Sequence, residues 1–62
     1  MIYTMTITKT FGNKKSIVVS VDADTKIDAM YRGLAKAAKE DRHNFKWVQP
    51  WQVNFENLKK SA

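Results

Sequence analysis

Sixty-two residues carrying 11 Lys/Arg against 6 Asp/Glu, a net charge of +5 and no cysteine describe one small basic domain. A chain this short buries only about 60% of its unfolded surface, and its core is expected to supply no more than roughly 3–5 kcal/mol of net stability unless something staples it. The missing cysteines exclude a disulfide scaffold and a thiolate zinc site, which leaves self-association, in the form of a homodimer, as the remaining staple.

The stretch Met1–Thr6 alternates instead of forming an apolar run behind a basic region, so no signal peptide is expected and the location expected is cytoplasmic. No segment approaches the ~20 apolar residues of a membrane span, and no membrane partner is expected. The first strand is predicted over residues 2–11. Tyr3, Met5, Ile7 and Phe11 share one parity, and Thr4, Thr6, Thr8 and Thr10 the other. Gly12-Asn13-Lys14 supplies residues that tolerate positive φ and reads as a hairpin turn. Alternation resumes with Ile17, Val19 and Val21 inward and Ser16, Val18 and Ser20 outward.

Asp22-Ala23-Asp24-Thr25 breaks the second strand, and Thr25 followed by Asp28 resembles a capping box, with Asp24 as an alternative cap. From Lys26 to about Asp41 the period becomes helical, and Ile27, Met30, Tyr31, Leu34, Ala35 and Ala38 form the predicted inward stripe. Gly33 inside that run permits close approach of helix to sheet. His43-Asn44 ends the helix, and a third extended segment begins at Phe45, with Phe45, Trp47, Trp51, Val53 and Phe55 of one parity. Pro50 has no amide donor, so this strand is expected at a sheet edge with a bulge near the proline. Residues 57–62 read as a flexible C-terminal tail to a single ββαβ domain over residues 1–56.

A right-handed crossover from the second strand returns the chain beside the first. The expected fold is therefore α+β: a three-stranded antiparallel sheet of order 2-1-3, one helix on its odd-numbered face, and threonine and serine on the other. This topology sorts charge. Lys14 and Lys15 sit at the hairpin turn with Lys9, and Lys39, Arg42 and Lys46 are carried back toward them, while Asp22, Asp24 and Asp28 collect at the far end. Arg32, Lys36, Lys39 and His43, spaced 4, 3 and 4, are expected to line one outward helix stripe. Such a stripe is either a phosphate-contacting surface or a solvated helix face with cations near its C-terminal dipole.

Catalytic chemistry finds little support. His43 is the only histidine and has no evident serine partner, and Asp22 and Asp24 are explained as caps at a strand–helix junction. With only Gly12 and Gly33, no phosphate-cradling loop exists, and no cofactor is implied. Trp47 is expected in the core. Trp51 would join it on an unbroken strand, whereas a bulge at Pro50 would expose it as an interface anchor. The hydroxyl-rich open face argues against base stacking there.

The run Val19–Ala29, a short helix, and then Phe45-Lys46-Trp47-Val48-Gln49-Pro50 is similar to small phage-encoded ββαβ proteins, a group that includes an inhibitor of host RNA polymerase. The shared features are an Ala-x-Thr-x-x-Asp-Ala helix start and a Phe-x-x-Val-x-Pro final segment, within about residues 16–50. The resemblance implies a phage protein that disables or redirects a host machine through contacts alone; no functional residue is carried over from it. The expectation is a non-enzymatic interaction module that docks on an acidic host-protein surface through Lys14, Lys15, Lys39, Arg42 and Lys46 with Trp51 and the edge strand. The alternative is a small DNA-binding protein using the same pole with Arg32, Lys36 and Lys39.

Overall fold

Period-two alternation in the first half of the chain produces two strands, and the change to helical period after Thr25 produces one long helix. The computed structural model describes residues 1–61. It contains β1 (Ile2–Lys9), β2 (Ser16–Asp22), α1 (Lys26–Glu40), a one-turn helix α2 (Arg42–Phe45), a 3₁₀ turn (Pro50–Gln52) and β3 (Val53–Ser61). The sheet order is β2-β1-β3, antiparallel throughout, as the sequence predicts. No helix of the described residues is long and apolar enough to cross a membrane.

β1 pairs with β2 from Ile2↔Asp22 to Thr8↔Ser16. Gly12 and Lys14 take φ of 61° and 52° in the connecting turn, and the Lys14 amide donates to the Phe11 carbonyl at 3.2 Å. Phe11 falls beyond the strand and is exposed, not inward as its parity suggests. Cross-strand partners share a face. Tyr3, Met5, Ile7 and Val19 therefore point together into the core, where each is buried. The opposite face is tied by hydroxyls, Thr4 to Ser20 at 2.8 Å and Thr8 to Ser16 at 2.9 Å. Thr8 also donates to the Glu56 carboxylate at 2.7 Å.

Thr25 is the N-cap of α1, its hydroxyl accepting from the Asp28 amide at 3.1 Å. The face that α1 buries differs from the predicted stripe. Ala29, Gly33, Leu34 and Ala37 are inward, whereas Ile27 and Tyr31 are 67% and 60% exposed. Small residues four apart win because they let the helix backbone approach the sheet. A Cβ at Gly33 would stand 2.5 Å from Met5 Sδ. The helix lies chiefly against β2 and β1. Its Ile27–Tyr31 flank instead overhangs β3, forming a groove of about 390 Å³ with Met30, Pro50, Val53 and Phe55.

Four expectations for the C-terminal third are corrected. Phe45 does not open a strand, because Asp41 ends α1 and also caps α2, its carboxylate accepting from the Asn44 amide at 3.4 Å and the Asn44 side-chain amide at 2.9 Å. Phe45 is thereby turned into the core and fully buried. Parity counting from Phe45 then fails, and Trp47 is 79% exposed in the following loop, not in the core. Pro50 sits at the start of the 3₁₀ turn, where a missing amide proton costs nothing, instead of interrupting a strand.

The strand itself runs Val53–Ser61, so residues 57–61 belong to the sheet and not to a tail. Thr6↔Glu56 is followed by Thr4↔Lys59, and Asn57 absorbs the extra residue with a φ of 54°. That bulge resets the register so that Leu58 packs against the core.

Bonds between Lys9 and Lys15 and between Ala23 and Met1 make the odd residues of β1 the hydrogen-bonded partners of β2. The even residues of β2 consequently turn their backbone groups to the outer edge. One of these, the Ser20 carbonyl, accepts from Lys36 Nζ at 2.6 Å.

Candidate functional site

The end of the molecule that carries the hairpin turn is where the cations gather. The fold is 34 Å long and at most 19 Å across, so its two ends are well separated. A depression of about 450 Å³ opens at the turn end, and its lining includes Lys9, Phe11, Arg42, His43, Lys46 and Trp47. Residues from three separate elements are brought together here. Lys9 comes from the end of β1 and Phe11 from the turn just after it, Arg42 and His43 from α2, and Lys46 and Trp47 from the loop after that helix.

Polar cross-links hold this constellation in shape. Asn13 in the hairpin turn donates to Asn44 Oδ1 on α2 at 2.8 Å, joining segments 31 residues apart. The Thr10 amide and hydroxyl both donate to the Gln52 carbonyl at 3.0 Å, fixing the end of β1 to the 3₁₀ turn. Lys9 Nζ reaches Asn13 Oδ1 at 3.3 Å. Each flanking ring has its own cation: Lys9 Nζ lies 4.8 Å from the Phe11 centroid and Lys46 Nζ 5.0 Å from the Trp47 centroid.

Of the residues that sequence singles out, Arg42 and Lys46 line this depression. Lys14 and Lys15 are exposed in the adjoining turn, and Lys39 is exposed in the last turn of α1. None of these five, nor Lys9, makes an ion pair among the described residues. Glu40 and Asp41 are the carboxylates at the same end, and Asp41 is committed to capping α2.

Lys14 adopts its left-handed conformation without being glycine or asparagine, a strain of about 1–2 kcal/mol for an ordinary side chain. A lysine at this position puts a charge at the pole at the expense of stability.

The helix stripe does not form as predicted. Arg32 sits at the opposite end, where its Nε donates to Asp28 at 2.8 Å beside Asp22 and Asp24. That contact raises the Arg32 pKa further above its ordinary value. Lys36 is engaged with the β2 edge. At this acidic end the amino group of Met1 pairs with Asp22 at 2.8 Å, and the hydrogen bond from that ammonium, with its charge, lowers the Asp22 pKa. Trp51 is 77% exposed, as one of its two expected placements has it, but because it lies on the 3₁₀ turn and not because a strand bulges at Pro50.

Sequence reasoning missed Phe11 and Trp47 as surface rings because strand parity assigned both inward. The signal that could have found Trp47 is Asp41-x-x-Asn44, a cap spacing that starts a new helical turn and breaks the parity.

No protein-family model matches the sequence, and no curated protein and no solved structure matches it.

Proposed function

We propose that this chain is a non-enzymatic interaction module that docks its basic pole on an anionic macromolecule, acting in the cytoplasm of the cell that contains it. The observation that carries this reading is the gathering of Lys9, Lys14, Lys15, Lys39, Arg42 and Lys46 at one end, none in an ion pair among the described residues. Cations spread for solubility alone need not gather at one end with three of them, Lys9, Arg42 and Lys46, around one depression, and they need not include a lysine in a strained turn position.

The test compares two triple variants of equal charge. Lys15→Glu/Arg42→Glu/Lys46→Glu alters the pole, and Lys26→Glu/Lys59→Glu/Lys60→Glu alters residues away from it. Each reversal changes the charge by −2, so both variants go from +5 to −1. Retention of the first on an immobilised polyanion should be abolished and that of the second only reduced. Equal loss from both would mean that binding follows net charge and that the pole has no special part.

A second reading places the anionic surface on a host protein, in the manner of the phage inhibitors that the sequence resembles. Exposed Trp51 favours it, since a tryptophan free of the core is a common interface anchor. Under that reading Trp51→Ala abolishes a stoichiometric complex with a host protein that the parent chain forms; a complex of unchanged affinity would exclude Trp51 from the contact.

A further inference from the structure

Cations alone do not account for the turn-end depression, because two aromatic rings flank it. Trp47 is a large apolar side chain left in water, and Phe11 is 42% exposed on the β1 side. Lys9 and Lys46 lie within cation–π range of these rings. An acidic protein patch would use the charges and has no particular need of the rings. A DNA duplex would meet the lysines through its phosphates, but its bases are stacked inside and give exposed indole and phenyl groups nothing to cover. A single-stranded nucleic acid has both features that the site offers to satisfy: a phosphate at every step and unstacked base faces.

Resting on the reading that the pole docks an anionic macromolecule, we propose that the depression binds single-stranded nucleic acid, with a base stacked on Trp47 and phosphates held by Arg42, Lys46 and Lys9. The volume of about 450 Å³ lies in the roughly 300–1,000 Å³ range of small-ligand pockets and is suited to a nucleotide unit rather than a helix. Lys14 and Lys15 extend the positive surface along the turn for the neighbouring phosphates.

The site also specifies what it does not read. Asn44 is already engaged with Asn13 and Asp41, and Gln52 Oε1 accepts from the Gln49 amide at 2.9 Å. Among the lining side chains, the Gln52 amino group and His43 are left to meet base edges. Recognition through stacking and backbone charge is tolerant of sequence.

The test uses the full chain carrying Trp51→Phe, so that Trp47 is the sole tryptophan reporter, titrated with an oligodeoxythymidylate of about 12 nucleotides. The expected result is saturable quenching of Trp47 fluorescence. Three phosphate contacts at a slope of about −0.7 each weaken binding about 20-fold between about 50 and 200 mM salt. In the parent chain Trp47→Ala should cost tenfold or more in affinity, with circular dichroism confirming an intact fold, and Lys46→Ala should flatten the salt dependence.

Tighter binding of a duplex of equal length would overturn the proposal. So would binding of polyglutamate as tight as that of the oligonucleotide, with no effect of Trp47→Ala; in that case the pole still docks an anion, and the acidic-protein reading stands. Absence of binding to every polyanion would remove both the proposal and the reading beneath it.

Discussion

Replacing Gly33 by alanine sets two opposed effects against each other at one atom. In an exposed helix interior, Gly→Ala gains about 1 kcal/mol from backbone propensity. At position 33 the new Cβ would meet Met5 Sδ at 2.5 Å, Met5 Cε at 2.9 Å and Val19 Cγ2 at 3.5 Å. The first two contacts are too close to stand. The thioether end is flexible, but Met5 is 1% exposed and has little free space to enter. Overpacking of this kind costs about 1–3 kcal/mol. The balance is a net loss of about 1 kcal/mol, equivalent to a melting temperature lower by about 4–8 °C in a domain of this size.

Urea unfolding read by far-UV circular dichroism measures the change. Ala35→Gly on the exposed face calibrates the propensity term alone and should lose about 1 kcal/mol. Met5→Ala should cost about 2–5 kcal/mol in the parent. Its cost should be clearly less in Gly33→Ala, because the clash is gone and the new methyl fills part of the cavity. A Gly33→Ala protein more stable than its parent, or additivity in that cycle, would refute the close-approach argument.

Three further outcomes are expected. Ending the chain after Glu56 removes the pairings of Lys59, Lys60 and Ser61 with β1 and strips Leu58 from the core. The loss should be at least about 2 kcal/mol, and an unchanged thermal melt would return these residues to the status of a tail. Lys14→Asn relieves the positive-φ strain and should stabilise by up to about 1 kcal/mol while weakening retention on a polyanion; a stability decrease would contradict the strain argument. Asp22, whose folded pKa is lowered by the Met1 ammonium, contributes stability above the ordinary aspartate range that fades as pH falls through its depressed value. An NMR titration of its carboxyl should show this midpoint rising toward the ordinary range on N-terminal acetylation, and no movement would deny the contact.

The parts of the fold legible from sequence are those with local causes. Alternating threonines placed β1, Gly12-Asn13-Lys14 placed the turn, and Thr25 with Asp28 placed the start of α1 to the residue. Handedness then gave the strand order. What was illegible depended on competition between neighbours. Ile27 and Tyr31 carry more apolar surface than Ala29, Gly33 and Ala37, yet the smaller residues take the inward face because contact with Met5 and Val19 rewards close approach over side-chain size. Asp41 reads equally well as the end of one helix and the cap of the next, and only the buried seat of Phe45 decides between them. Convergence of Arg42 and Lys46 near the hairpin turn followed from topology, whereas Arg32 was lost to a carboxylate one helical turn away. Trp47 was hidden by the same parity error that misplaced β3, and Phe11 by carrying the β1 alternation past Lys9.

The two outer strands end the sheet in different ways, and this bears on how the protein behaves when crowded. An open three-stranded sheet has two rows of backbone groups ready to template an invading strand, the first step toward fibres. On β2 the Lys36 ammonium occupies one of those carbonyls, and any incoming chain must displace it and meet a cation. On β3 the kink at Asn57 breaks the regular spacing that a straight strand would need to zip along it. Both features oppose edge-to-edge pairing in a domain with so slender a core, and removing them by Lys36→Ala with Asn57 deleted should raise thioflavin-T-positive aggregation above that of the parent chain.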